Sequence, residues 1–140
     1  MDGHNARLDA LQDVQKIIDN FVSILSDFFA RKYVELDVRS ELNIITDNGK
    51  HVSTEYLSSG EKQLLLLLCN AIIARNNGTI FIIDEPEISL NIKWQRKLID
   101  ALLTCLEGVD SQIILATHSI EILSKYDYFV SPLTDISERS

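Results

Sequence analysis

Two carboxylates and an imidazole follow two apolar, β-prone runs of this sequence. Asp84 and Glu85 come directly after residues 79–83 (Thr-Ile-Phe-Ile-Ile), and His118 follows residues 112–117, 34 positions after Asp84 (118 − 84). Ligands of open parallel sheets bind beyond the carboxyl ends of the strands, so neighbouring strands would bring all three groups to one rim. There Asp84 would hold Mg²⁺ through water, Glu85 would deprotonate an attacking water, and His118 would donate a hydrogen bond to a phosphate.

A second candidate for phosphate binding is the serine–glycine turn, residues 58–61 (Ser-Ser-Gly-Glu), at the start of an apolar helical segment. Ser58 or Ser59 would cap the helix, and Glu61 would lie in its first turn. The free N–H groups and positive dipole end of such a helix bind phosphate, and Gly60 would let the backbone approach it closely. The simpler alternative is a serine cap that binds no ligand.

The sequence contains no P-loop, the pattern Gly-x-x-x-x-Gly-Lys-Ser/Thr that holds nucleotide phosphates. Its one Gly-Lys pair is Gly49 and Lys50, and Ile44 and His51 stand where the pattern needs Gly and Ser or Thr. We therefore expect the chain alone to bind ATP weakly or not at all. A nucleotide at the serine–glycine turn would be held by another lobe or polypeptide.

The elements that position these groups follow from the spacing of apolar residues. Residues 6–30 predict an amphipathic helix, either packed on a core or at the root of a coiled-coil arm. Residues 33–56 predict a small antiparallel meander whose hairpin has Asn48 and Gly49 in a type I′ turn. Residues 57–131 alternate helix and strand, which predicts a parallel β-α-β-α-β core with flanking helices. Residues 132–140 are expected to form a loose tail.

The lobe over residues 57–131 is expected to contain three strands and three helices. The first strand is a continuous apolar run and should be buried on both faces. The expected elements are a helix to about residue 75 that residues 76–78 stop, a strand over 79–84, a helix over 90–107, a strand over 112–117, a helix over 119–125 and a last strand over 128–130.

Composition limits the classes of protein that this chain can represent. Its 140 residues suit one α/β domain, and 46% hydrophobic residues are enough for a core. The net charge of −8 argues against tight nucleic-acid binding through this segment, though not against a nucleic-acid partner for a larger assembly. Cys69 and Cys105 are expected to be buried, reduced thiols. Without a membrane span or signal peptide, a cytoplasmic protein is expected.

The order of these motifs resembles the ATP-binding-cassette (ABC) type of ATPase head, closest to its SMC/RecF/OLD-like branch. Residues 58–63 match the signature motif, residues 84–90 (Asp-Glu-Pro-Glu-Ile-Ser-Leu) match Walker B and the D-loop, and residues 117–119 (Thr-His-Ser) match the switch histidine. Trp94 and Gln95 in the following helix also fit. The resemblance covers residues 57–123 and only the C-terminal portion of such a head.

In that family two heads dimerise head to tail and trap ATP between the P-loop of one and the signature of the other. The resemblance therefore implies ATP and Mg²⁺ as cofactors, a P-loop-bearing lobe as partner and a role in DNA repair or phage defence. It implies that residues 58–61 contact the γ-phosphate in trans, and that Asp84, Glu85 and His118 act in cis. A D-loop would cross the interface through Glu87, Ser89, Leu90 and Asn91, and Asn91 stands where this branch often has His.

Two other functions remain open from the sequence. The missing P-loop favours a non-catalytic interaction module derived from such an ATPase, with the seam of residues 6–30 binding the partner. A metal-dependent nuclease would use Asp84, Glu85 and Glu87 as ligands.

Overall fold

The computed structural model describes residues 2–37, 42–75 and 80–133, with side chains from residue 7 onward. A 27-residue helix, α1 (Asp2–Phe28), opens the fold. Its C-terminal half is buried, with Leu25 and Phe28 only 0% and 3% exposed, whereas Leu11 and Val14 in its N-terminal half are 59% and 52% exposed. The predicted helix is confirmed. One half of its apolar seam packs on the core, and the other half has no cover from the described residues.

A three-stranded antiparallel sheet follows α1 and confirms the predicted meander. Its strands are β1 (Lys32–Leu36), β2 (Leu42–Thr46) and β3 (His51–Val52), with β2 in the centre. Val34 of β1 lies opposite Ile44 of β2, and both are almost fully buried against the core. Beyond Val52 the chain forms a 3₁₀ turn, Thr54–Tyr56, capped by Ser53. The expected extension of the meander to residue 56 is therefore wrong, because a local serine cap takes over from strand pairing.

The hairpin between β2 and β3 has a different turn from the one expected. The Gly49 N–H donates to the Thr46 carbonyl over 2.8 Å, and Gly49 has φ +76°. Asn48 does not adopt positive φ, as a type I′ turn would require. The hairpin is a three-residue loop in which a turn of type I is followed by glycine in the left-handed region, so only one position needs positive φ.

Two parallel strands and three helices complete the fold. The strands β4 (Ile80–Asp84) and β5 (Gln112–Ala116) pair in parallel, with Ile82 opposite Ile114. The helices are α2 (Ser59–Ala74), α3 (Ile92–Cys105) and α4 (Ile120–Lys125). One apolar cluster joins α1, the meander, the helices and one face of β4. Its fully buried aliphatic side chains include Leu25, Ile44, Leu64, Leu68, Leu98 and Leu102.

The described residues cover the parallel sheet on one face only. Ile83 of β4 points to the core and is 6% exposed, whereas Ile80 and Ile82 are 59% and 70% exposed and Ile114 of β5 is 44% exposed. The expectation that this strand is buried on both faces is wrong for this chain, because its helices pack against one side of the sheet. The result is an apolar outer face, made of Ile80, Ile82 and Ile114.

The expected last strand, over residues 128–130, is also wrong. Residues Asp127–Phe129 form a 3₁₀ turn, and Tyr128 and Phe129 are 95% and 87% exposed. A strand needs a neighbour for its backbone hydrogen bonds, and no strand in the described part of the chain pairs with this segment. The expected stop of α2 at residues 76–78 and most of the expected tail lie outside the described residues.

Both cysteines are free thiols, with Cys69 half-buried and Cys105 buried, and burial raises the pKa of Cys105 to about 11. Among the described helices, none is both long enough and apolar enough to cross a bilayer.

Candidate functional site

The carboxyl ends of β4 and β5 lie side by side and form the rim predicted from the sequence. Asp84 is level with Ala116, and the Glu85 N–H donates to the Ala116 carbonyl over 2.7 Å. His118 follows two residues later, with its Nε2 atom 3.8 Å from Glu85 Oε1. The prediction that the acidic pair and the histidine share one rim is confirmed.

The reactive groups on this rim are accessible to solvent. The side chains of Glu85 and His118 are 44% and 90% exposed, and Asp84 is exposed as well. Glu85 adopts φ +45°, a region that non-glycine residues rarely occupy. Such strained positions cost of order 1–3 kcal/mol and cluster at functional sites. The chain therefore turns sharply at Glu85, where its carboxylate lies beside the His118 imidazole at the edge of the sheet.

The acidic loop, residues 85–90, turns tightly from β4 toward α3. Hydrogen bonds join the Ile88 N–H to the Glu85 carbonyl (3.2 Å) and the Leu90 N–H to the Glu87 carbonyl (2.9 Å). Ser89 is exposed and has φ +65°, while Leu90 is buried. Asn91 is the N-cap of α3, because its Oδ1 atom accepts from the Trp94 N–H over 3.0 Å.

Glu87 joins the acidic loop to the histidine loop, residues 117–119. Its Oε1 atom accepts from the His118 backbone N–H over 2.8 Å. Burial alone would raise the pKa of Glu87, but hydrogen bonds from the Thr117 side chain and from backbone N–H groups hold that pKa below its usual value. The other oxygen, Oε2, is buried and has no hydrogen-bond partner among the described residues. In this chain Glu87 therefore holds the backbone of the histidine loop.

Gln95 on α3 makes a second connection between the same two loops. Its Nε2 atom donates to the Leu90 carbonyl over 2.8 Å, and its Oε1 atom accepts from the Ser119 hydroxyl over 2.7 Å. Ser119 in turn caps α4 by accepting from the Ile122 N–H over 3.2 Å. Sequence reasoning gave Gln95 no role, because Ser119 is 24 positions away and neither of the two contacts follows a local sequence pattern.

The serine–glycine turn begins α2 with a complete capping box. The Glu61 N–H donates to Ser58 Oγ over 3.2 Å, and the Ser58 N–H donates to Glu61 Oε2 over 2.9 Å. Ser58 is therefore the cap, and Ser59 is the first residue of the helix. Both serines are exposed, whereas the Glu61 side chain is turned into the fold.

Gly60 is buried against the acidic loop. A Cβ atom at this position would lie 2.5 Å from the Ser89 carbonyl oxygen and 3.5 Å from Cζ3 of Trp94. The absence of a side chain therefore lets the first turn of α2 approach residues 85–90 of the same chain. This is a different use of the glycine from the approach to phosphate expected from the sequence.

The carboxylates on the rim suit Mg²⁺, which keeps water ligands, better than a metal ion that is bound by protein side chains alone. Among the described residues, no three His, Cys, Asp or Glu side chains come together as a metal site. The nuclease centre of Asp84, Glu85 and Glu87 considered from the sequence is therefore not formed. Asp84 and Glu85 remain as exposed carboxylates, and Mg²⁺ takes one or two carboxylates together with water and phosphate oxygens.

Comparison with known proteins agrees with this geometry. Residues 5–124 match the model of a family described as "AAA domain, putative AbiEii toxin, Type IV TA system". The chain belongs to this ATPase family. The match contains the serine–glycine turn, the acidic loop and the histidine loop, and so the elements that build the rim are those of the family domain.

Curated relatives of the ATPase domain include proteins of DNA repair and of a retron. The DNA double-strand break repair Rad50 ATPase of Sulfolobus acidocaldarius is 30% identical over 137 residues, covering 93% of this chain and 15% of that protein. The same-named protein of Sulfurisphaera tokodaii is 32% identical over 118 residues, covering 80% of this chain and 13% of that protein. A Vibrio cholerae protein named "Retron Vc95 probable ATPase" is 29% identical over 139 residues, covering 82% of this chain and 25% of that protein. This chain thus spans a quarter or less of the length of these relatives.

Proposed function

We propose that this chain is the signature and Walker B lobe of an ABC-type ATPase that hydrolyses ATP at a head-to-tail dimer interface. One observation carries the proposal: Asp84, Glu85 and His118 lie on one rim, with 3.8 Å between the Glu85 carboxylate and the His118 imidazole. An exposed carboxylate next to an exposed imidazole can accept a proton from water on one side and donate to a phosphate oxygen on the other.

Each rim residue has a distinct task in this proposal. Glu85 orients the attacking water and accepts its proton, and His118 donates a hydrogen bond to the γ-phosphate. Asp84 holds Mg²⁺ through water, and the bound ion would neutralise charge on the phosphate oxygens. Glu87 keeps the histidine loop in place through the His118 N–H.

The serine–glycine turn would act on the nucleotide of the opposite head. Ser58 and Ser59 are exposed at the N-terminus of α2, where free N–H groups and the helix dipole favour phosphate. The buried Glu61 side chain would contribute through its place in the cap, because its carboxylate is turned away from solvent. Ser89 is exposed in the acidic loop and would contact the second head there.

A P-loop-bearing lobe, in the same or another polypeptide, is the proposed partner. The apolar outer face of the parallel sheet supports this assignment, since Ile80, Ile82 and Ile114 are between 44% and 70% exposed. Parallel sheets are ordinarily covered on both faces. The missing lobe would supply this cover and the P-loop together.

The biological setting that we propose is DNA repair or defence, in keeping with the Rad50 and retron relatives. The acidic charge of −8 makes this segment a poor surface for nucleic acid. Contact with DNA would therefore belong to other parts of the assembly.

Hydrolysis by the reconstituted head tests the proposal. A complex of this chain with a P-loop-bearing lobe should hydrolyse ATP, and Glu85→Gln should lower kcat by about 10²–10⁴ because the general base is lost. The control is Glu55→Gln, a change in the exposed 3₁₀ turn outside the rim. Unchanged hydrolysis with Glu85→Gln would refute the assigned base. Tight binding of ATP to the chain alone, measured by calorimetry, would contradict the need for a separate P-loop.

A further inference from the structure

A partly buried ion pair ties the serine–glycine turn to the start of β1. Lys32 Nζ lies 2.7 Å from Glu61 Oε1 and 2.9 Å from Glu61 Oε2. The two side chains are 22% and 10% exposed, so this pair is much better shielded from water than the exposed Lys97–Asp27 pair, at 51% and 65%. The same Glu61 carboxylate accepts from the Ser58 N–H. Lys32 therefore acts on the cap of α2 through a single shared side chain.

The electrostatics show that the carboxylate depends on this partner. Burial would raise the pKa of Glu61, but the hydrogen bond from Lys32, followed by those from Ser58, holds the pKa below its ordinary value. Removing one member of a buried pair leaves the other charge without compensation. Without Lys32, Glu61 would have to take up water or a proton, and either change would disturb the hydrogen bond to Ser58.

The junction between α1 and β1 that carries Lys32 is itself fixed by backbone contacts. Arg31 adopts φ +61°, and its carbonyl accepts from the Asp47 N–H of the hairpin over 3.2 Å. The Ser26 hydroxyl of α1 accepts from the Val34 N–H over 3.0 Å. A displacement of the end of α1 would therefore move the Lys32 backbone with it.

An aromatic contact links the same end of α1 to the turn by a second path. The Trp94 ring packs edge-on against Phe28 at 5.8 Å and stacks on Phe29 at 6.4 Å. Its Cζ3 atom also faces the Gly60 backbone, where an added Cβ would lie 3.5 Å away. Two paths thus connect the end of α1 to the serine–glycine turn, one through Lys32 to Glu61 and one through Trp94 to Gly60.

We propose that Lys32 is a positioning residue for the serine–glycine turn, holding Ser58 and Ser59 through Glu61 in the orientation that receives a nucleotide from the opposite head. The proposal rests on the function proposed above. It makes the α1–β1 junction part of the nucleotide site, although Lys32 itself touches no substrate. Movement of α1 would then alter engagement of the two heads.

Three substitutions separate this role from general stabilisation. Lys32→Met removes the charge, Lys32→Arg keeps it with two donors for the carboxylate, and Lys97→Met removes the exposed ion pair between α3 and α1 as a control. In the reconstituted head, Lys32→Met should weaken ATP-dependent head–head association at least fivefold and leave the affinity of a single head for ATP unchanged. Lys32→Arg should restore association to within about twofold of the original, and Lys97→Met should not change it.

Hydrogen exchange of the chain alone gives a readout that needs no nucleotide. Lys32→Met should speed exchange of the Ser58 and Glu61 N–H groups at least tenfold relative to Lys97→Met, with the rest of α2 little changed. Glu61→Gln should weaken association as much as Lys32→Met, and the double variant should be no worse than either, because the two residues act as one unit.

The outcomes distinguish this proposal from the proposed function. If Lys32→Met matched Lys97→Met in both association and exchange, the positioning role would be overturned while ATP hydrolysis could stand. If the unaltered heads failed to associate with ATP, the proposed function would fail and the positioning role with it, even if the exchange difference identified Lys32 as a support of the α2 cap. If Lys32→Met did not fold, Glu61→Gln together with Lys32→Arg would decide the matter by the same two measurements.

Discussion

Three residues of the candidate site make specific contacts within this chain. Glu87 accepts from the His118 N–H, Asn91 caps α3, and Gly60 makes room for the Ser89 carbonyl. Each was expected from sequence to contact nucleotide or a second head. The structure adds an intramolecular contact for each of them, so substitutions at these positions will change the local fold as well as any ligand interaction.

Gly60→Ala tests the closest of these contacts. Alanine at a helix position normally stabilises relative to glycine by roughly 0.5–1 kcal/mol, but here its Cβ would meet a backbone oxygen at 2.5 Å. We expect the free energy of unfolding to fall by about 1–3 kcal/mol, as for other overpacked sites. Urea denaturation measures the change, with the neighbouring exposed Ser59→Ala as control. An alanine variant as stable as the original would show that the acidic loop moves away easily.

At the scale of elements, α1 has two different environments along one apolar seam. Leu25 is fully buried in the core, whereas Leu11 on the same helix is 59% exposed. A helix packed on the core, one of the two alternatives considered from sequence, describes the C-terminal half of α1. The root of a coiled-coil arm stays a prediction for the N-terminal half, where the apolar side chains are exposed.

Replacing each leucine by alanine tests whether the two halves of α1 contribute differently to stability. Leu25→Ala should lower the free energy of unfolding by about 2–5 kcal/mol, because it leaves a cavity in the core. Leu11→Ala should change stability by at most about 0.5 kcal/mol, as exposed substitutions do. Thermal or urea denaturation measures the stability of the two variants. The comparison is matched because both change a leucine on the same helix to alanine. A large loss with Leu11→Ala would mean that the N-terminal half is covered in solution.

Local patterns in the sequence were sufficient to predict most of the helices and strands and the shared rim. Strand ends, the serine cap and the Asn-Gly hairpin are short-range signals, and they correctly predicted the meander, the capped α2 and the shared rim of Glu85 and His118. The pair of Lys32 and Glu61 and the bridge made by Gln95 could not be predicted in this way. Gln95 is 24 positions from Ser119, and Lys32 is 29 positions from Glu61. The first pair is brought together by the packing of α3 beside α4, and the second by the packing of α2 near the meander.

At the scale of the whole molecule, the main feature is a parallel sheet with one face that the described residues leave exposed. Burial of apolar side chains contributes roughly 25 cal/mol per Å². Covering the exposed side chains of Ile80, Ile82 and Ile114 would therefore favour association with a partner. The two expectations that were wrong here, a strand buried on both faces and a third strand at residues 128–130, both presupposed neighbours that the described residues do not supply.

Ile82→Lys tests whether this face binds the P-loop-bearing lobe. Because Ile82 is 70% exposed, we expect the unfolding free energy of the chain alone to change by less than about 0.5 kcal/mol. Assembly with the lobe should be lost, because a charge would be buried in an apolar contact. Size-exclusion chromatography of the mixture measures assembly. The matched control is Leu66→Lys on α2, where the leucine is 58% exposed, and equal assembly of both variants would contradict the assigned face.

Trp94 is the only tryptophan of the 140 residues, and it lies between the end of α1 and the Gly60 backbone. Its intrinsic fluorescence is therefore a built-in optical probe that needs no dye. A shift in its emission maximum or in its quenching by acrylamide would record, in real time, any rearrangement that passes between the long helix and the start of α2.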